Sequence, residues 1–237
     1  MFPLSPLNKK FSIDDSKIQT PAGRKPLPFP RSPARIGMAM GKGRLVVIEG
    51  IDGAGKSTQA RRLLRKLRAR GVDAVAFREP TRGRWGRELK RKAKTAGSLT
   101  PEEELALFLK DRKENVARNL KPALRAGRVV ILDRYYFSTV AYQGAKGLDP
   151  GRILRQNERF APKPSLVFIL DLPPDTGLGR ISGRRTRDVL FERASYLRRV
   201  RAIFRRFKGP RFVHLDARMD REALGREILE RTRRKIP

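Results

Sequence analysis

Short apolar runs recur along the chain, each followed by a longer stretch whose apolar positions have helical spacing. Residues 44–49 (RLVVIE) are apolar almost throughout and run into glycine, the pattern of a parallel strand buried on both faces. Residues 73–77 (DAVAF), 128–132 (RVVIL), 166–170 (LVFIL) and 211–215 (RFVHL) repeat it. Residues 56–70 read as a helix stopped by Gly71. Helical stretches follow near 86–96 and 101–126, the second opening with Thr100 as N-cap, Pro101 at the first helical position and acidic residues in its first turn. Two more helical stretches separate the third and fourth strands, a long basic helical region spans about 174–207, and a last helix closes the chain. This alternation predicts an α/β fold, a doubly wound five-stranded parallel sheet with helices on both faces.

Residues 1–43 break the pattern. The stretch PAGRKPLPFPRSPARIG (residues 21–37) is rich in Pro, Gly and basic residues and has no apolar period, which predicts a disordered extension before a domain over 44–237. Two other readings stay open there: a transit peptide, or a translation start at Met38 or Met40. No run approaches the ~20 apolar residues of a membrane span, so the expected compartment is the cytoplasm.

Composition narrows the chemistry. With no cysteine, thiol catalysis and thiolate zinc sites are excluded, and a single histidine, His214, leaves a His–His metal site within one chain little to build on. Carboxylates, Lys, Arg, hydroxyls and backbone amides remain. Lys and Arg number 56 against 24 Asp and Glu, a formal charge of +32, which suits polyanionic ligands. The basic residues are spread over nearly every predicted helix, so an enzyme acting on phosphates is favoured over a nucleic-acid-binding protein.

Residues 50–58 read Gly50-Ile51-Asp52-Gly53-Ala54-Gly55-Lys56-Ser57-Thr58, a complete G-x-x-x-x-G-K-[ST] phosphate loop between a predicted strand and a predicted helix. Its glycines let backbone N–H groups wrap the phosphates of ATP at a helix N-terminus. Lys56 is the expected ligand of the β- and γ-phosphates, and the Ser57 hydroxyl of Mg²⁺. Asp133, at the C-terminal end of the third strand, lies where open α/β sheets place their ligands and is the second expected Mg²⁺ contact. Arg134 beside it offers paired hydrogen bonds to an acceptor phosphate.

Four segments together resemble the thymidylate kinases, over residues 44–236. They are EGIDGAGKSTQ (49–59), Phe77-Arg78-Glu79-Pro80, the helix segment from Leu107 to Arg112, and Asp133-Arg134-Tyr135 continuing through Ser138 to Ala141-Tyr142-Gln143. The resemblance implies phosphoryl transfer from ATP to dTMP with Mg²⁺, in a homodimer. It also implies a substrate-binding set: Phe108 stacked on the base, Arg112 at the base edge or the phosphate, Arg78 at the monophosphate and Tyr142 beneath the sugar. Gln143 would help define the base pocket, Thr139 belongs to the same set, and Asp52 would meet the sugar 3′-hydroxyl or the metal. The rivals are another nucleotide kinase of this fold and a basic nucleic-acid-binding P-loop ATPase.

A lid is expected near 180–192. The four variable loop positions, Ile51 to Ala54, carry no basic side chain, so charge on the transferring phosphoryl is expected from Arg180, Arg184, Arg185 or Arg187. Two departures from the family pattern bear on this. The acidic lid signature is stretched to Asp188-Val-Leu-Phe-Glu192, and Thr81-Arg82-Gly83 replaces a Gly-Gly pair, which makes Arg82 an additional candidate phosphate ligand.

Overall fold

The computed structural model describes residues 43–93, 95, 98–181 and 187–236. The N-terminal extension, Arg184 and Arg185 lie outside the described residues, as does the side chain of Arg187. Five strands, β1 (Arg44–Gly50), β2 (Ala74–Arg78), β3 (Val129–Asp133), β4 (Leu166–Asp171) and β5 (Phe212–Asp216), form one sheet in the order β2-β3-β1-β4-β5. Every pairing is parallel, as the apolar runs predict. Strands β1, β3 and β4 are buried almost throughout, whereas the edge strands β2 and β5 have one buried residue each. The chain leaves β1 toward β2, returns to β3 and then crosses to β4. The order therefore reverses at β1, and the crevice above its C-terminal end is where such sheets bind ligands.

Helix α1 (Lys56–Arg68) buries Ala60, Leu63 and Leu67 against the sheet. It ends where Gly71 takes φ 75°, and the Val72 N–H reaches back to the Leu67 carbonyl at 3.1 Å. Helix α2 (Arg84–Lys92) is shorter than the 86–96 pattern suggests and starts two residues earlier. Helix α3 (Pro101–Asn115) begins with a capping box: the Glu103 N–H donates to Thr100 Oγ1, and the Thr100 N–H to Glu103 Oε2.

The stretch to residue 126 is not one uniform helix. Residues Val116–Leu120 widen into a π turn before α4 (Lys121–Arg125). Pro122 explains this, since it has no N–H and its ring crowds the carbonyl four residues back. Helices α5 (Tyr136–Gly144) and α6 (Pro150–Glu158) follow β3, then α7 (Pro174–Ile181) and α8 (Arg187–Arg206) follow β4, and α9 (Arg221–Lys235) packs on α1. Nearly all of α5 is buried, which fixes the ligand-facing residues after β3. No helix among the described residues is long and apolar enough to cross a membrane.

Candidate active site

The loop after β1 is built by backbone conformations that only glycine adopts easily: Gly50, Gly53 and Gly55 have φ of 141°, 82° and 86°. Gly53 also lies against α7, where an added Cβ would sit 2.3 Å from the Gly177 carbonyl oxygen. A longer side chain at residue 53, basic or otherwise, has no room there. Arg180, one turn further along α7, instead reaches back: its Nη1 donates to the Ala217 carbonyl at 3.1 Å and weakly to that of Gly53 at 3.4 Å.

Lys56 is buried and its Nζ donates to the Ile51 carbonyl at 2.7 Å. Burial, helped by the nearby Arg134 charge, lowers its pKa to about 8. Ser57 Oγ donates to Asp133 Oδ2 at 2.5 Å, so the P-loop and the end of β3 meet directly. Asp133 is buried, and its other oxygen, Oδ1, has no hydrogen-bond partner among the described residues. Arg78, at the end of β2, brings Nε to 3.7 Å from Asp133 Oδ2.

Arg134 is the one non-glycine residue of the described chain with positive φ, 68°. That left-handed corner is costly for a side-chain-bearing residue and turns Arg134 toward the P-loop. Its Nη2 is paired with Asp52 Oδ1, its Nη1 donates to Ser138 Oγ at 3.2 Å, and its guanidinium lies 5.3 Å from the Tyr142 ring centre. Burial disfavours charge on Asp52, but Arg134 and Lys56 more than offset this and hold it below the usual carboxylate range.

A second cluster lies under the Glu79–Pro80 turn, whose peptide is cis. Arg112 donates to Glu79 at 2.7 Å, to Asn157 at 2.6 Å and to Thr139 at 2.9 Å, while Asn115 donates to the other Glu79 oxygen at 2.9 Å. The resemblance points Arg112 and Thr139 at the substrate; their described partners are each other and neighbouring side chains. Gln143 Nε2 donates to Glu104 at 2.6 Å, and its Oε1 is buried without a partner among the described residues. Phe108 is half-buried on α3 and is not among the apolar side chains packed on the core.

Glu49 was not singled out as a site residue from the sequence. It is fully buried at the end of β1 and accepts from the Tyr135 N–H at 2.8 Å, the Ser138 N–H at 3.1 Å and Ser138 Oγ at 2.5 Å. Burial raises its pKa to about 7. The one signal of it in the sequence is a carboxylate closing an otherwise apolar strand.

The family model described as thymidylate kinase matches residues 48–228, most of the chain and all of the groups above. This chain belongs to the thymidylate kinase family. Among its relatives, the thymidylate kinase of Akkermansia muciniphila is 45% identical over 196 residues, covering 83% of this chain and 94% of that protein. The thymidylate kinase of Desulfotalea psychrophila is 42% identical, covering 81% and 95%. That of Xanthomonas campestris pv. campestris is 46% identical, covering 78% and 81%. Family membership thus agrees with the parallel sheet, the P-loop and the Asp133-Arg134 corner.

Proposed function

We propose that this thymidylate kinase family member transfers the γ-phosphoryl group of ATP to dTMP, giving ADP and dTDP. The observation that carries this is the meeting of loop and strand, with Ser57 on Asp133 and Arg134 on Asp52. Donor-phosphate ligands and an acceptor-phosphate ligand are thereby held in one crevice. An acceptor phosphate oxygen attacks the γ-phosphorus, and the bond to the β-bridging oxygen breaks with its electron pair leaving on ADP. No general base is needed, because the attacking oxygen is already ionised.

The P-loop amides and Lys56 bind and orient the donor phosphates, and Arg134 and Arg78 orient the acceptor phosphate. Arginines of the lid, Arg180 among them, supply charge to the transferring group. The unpartnered Gln143 Oε1 suits an N–H on a pyrimidine base, and Phe108 offers a face for stacking. Ser57 and Asp133 fit Mg²⁺: both are hard oxygen donors, and a buried carboxylate oxygen without a partner is a group that a cation would satisfy. When bound there, Mg²⁺ would neutralise charge on the β- and γ-phosphates. By the family resemblance the protein acts as a cytoplasmic homodimer.

A coupled ADP-release assay across the nucleoside monophosphates tests the reading, with dTMP expected to give the highest kcat/KM. Faster turnover of UMP or CMP would remove dTMP as the acceptor and leave the kinase chemistry standing.

A further inference from the structure

Helix α5 starts without a capping side chain of its own. Tyr135 occupies the N-cap, and its side chain makes no cap hydrogen bond. Two amides of this turn are met from β1: Glu49 Oε1 accepts both the Tyr135 and the Ser138 N–H, the latter shared with the Tyr135 carbonyl at 3.1 Å. Glu49 thus caps α5 from beneath, where the helix dipole also favours a carboxylate. The same peptide segment carries Arg134 in its left-handed turn, with the Arg134 N–H donating to the Ile48 carbonyl at 3.1 Å.

The other Glu49 oxygen sets the direction of a relay. Ionised, Oε2 accepts from the Ser138 hydroxyl, so Ser138 Oγ is left to accept from Arg134 Nη1. An amide at residue 49 would fill the same space and preserve both backbone contacts. Its NH₂ would then donate to Ser138, whose oxygen would have to accept from both the amide and Arg134 Nη1 while its own proton loses the acceptor that holds it. A carboxylate is costly to bury in a central strand, as its elevated pKa attests. Structure alone therefore asks for no charge here, whereas the orientation of the relay does ask for an acceptor.

We propose that Glu49 is a positioning residue for the acceptor arginine, aiming the Arg134 guanidinium at the acceptor phosphate through the Ser138 hydroxyl. This rests on the reading of Arg134 as the acceptor-phosphate ligand. Its consequence is a defect confined to the acceptor side.

The test is steady-state kinetics, with thermal unfolding, of Glu49→Gln, Ser138→Ala, their double variant and Arg134→Ala. Glu49→Gln should raise KM for dTMP about tenfold and lower kcat, leaving KM for ATP near wild type and Tm no lower. Ser138→Ala, which keeps both backbone contacts of Glu49, should do the same. The double variant should be no worse than either single one, because one relay is cut twice. Wild-type dTMP kinetics in Glu49→Gln, or additive effects in the double variant, would overturn the proposal. A loss of Tm with unchanged kinetics would also overturn it, leaving Glu49 a cap only. If Glu49→Gln fails to fold, Ser138→Ala decides: normal dTMP kinetics there ends the relay. Arg134→Ala separates the two levels, since an unchanged KM for dTMP in that variant refutes the acceptor-arginine reading itself.

Discussion

Arg112 and Arg134 each pair with a carboxylate, and they are held differently. Arg112 spends its donors on Glu79, Asn157 and Thr139, lies 5.5 Å from the Tyr135 ring, and has a side chain only 2% exposed. Arg134 has two hydrogen-bonded side-chain partners, one of them a 3.2 Å contact, and lies 5.3 Å from the Tyr142 ring; its side chain is 16% exposed opposite an Asp52 that is 28% exposed. The first is an ion pair closed on every side, which fixes the Glu79–Pro80 turn. The second is open on one side and held in a costly backbone conformation, as the acceptor-phosphate ligand of the proposed function would be. Under the proposed function, identical side chains divide into a bolt and a ligand according to how many of their donors the protein consumes.

Lys56 extends the open side of this comparison, and its removal gives the largest expected effect. Lys56→Met should lower kcat by about 10³-fold or more, the order expected when a γ-phosphate ligand is lost. It should also stabilise the protein without nucleotide. The folded pKa is lowered from 10.5 to about 8, so the cost of charging Lys56 is fully present below pH 8 and disappears as pH rises toward 10.5. Unfolding curves at pH 7 and pH 10 should show the variant's advantage at the lower pH only. A variant less stable at pH 7 would place Lys56 with the bolts.

The two arginines can be set against each other directly. Arg112→Met should cost roughly 3–5 kcal/mol of stability, because it strands Glu79 as a buried unpaired carboxylate. Most of that loss should return in Arg112→Met/Glu79→Met, where both charges are replaced. Arg134→Gly should behave oppositely. Removing the side chain from a φ of 68° relieves about 1 kcal/mol of backbone strain, so Tm should hold or rise while kcat/KM for dTMP falls by about 10²-fold. If Arg134→Gly melts early and Arg112→Met merely loses activity, the assignment of roles is inverted.

How far the sequence reached follows the same division. The P-loop, the five strands and the Asp133-Arg134 corner are legible because local pattern determines them: apolar runs, glycines and a carboxylate at a strand end. Strands β2, β3 and β5 sit one residue further along than their apolar runs. Polar Arg78, Asp133 and Asp216 still pair in the ladder, as Arg78 does with Asp133 and Asp171 with Asp216. The Arg112 network was not legible. Its partners lie 27 to 45 residues away, just past β2, on α5 and on α6, and no periodicity marks them. Glu49 escaped for a related reason: its partners are backbone amides of a distant helix, which leave no trace in side-chain spacing.

The last expected effect concerns Glu49, and it distinguishes a buried carboxylate of the open corner from the paired Glu79. Burial raises the Glu49 carboxyl from 4.5 to about 7, against the opposing influence of its hydrogen bond from Ser138 and the Arg134 charge. Between those values the folded protein binds a proton that the unfolded chain has released. The contribution of Glu49 to stability is therefore complete at and below pH 4.5 and is lost as pH rises through about 7. Glu49→Gln keeps the acceptor for both backbone amides and cannot titrate, so this component of the pH dependence should vanish. Relative to the variant, the wild type should lose up to ~3 kcal/mol between pH 4.5 and pH 8, the order that such a shift carries. Urea unfolding of both proteins at half-unit steps measures it. A constant difference across the range would mean that Glu49 stays ionised throughout, its charge held by Arg134 and the N-terminus of α5. In that case the open corner would be as fully compensated as the closed one.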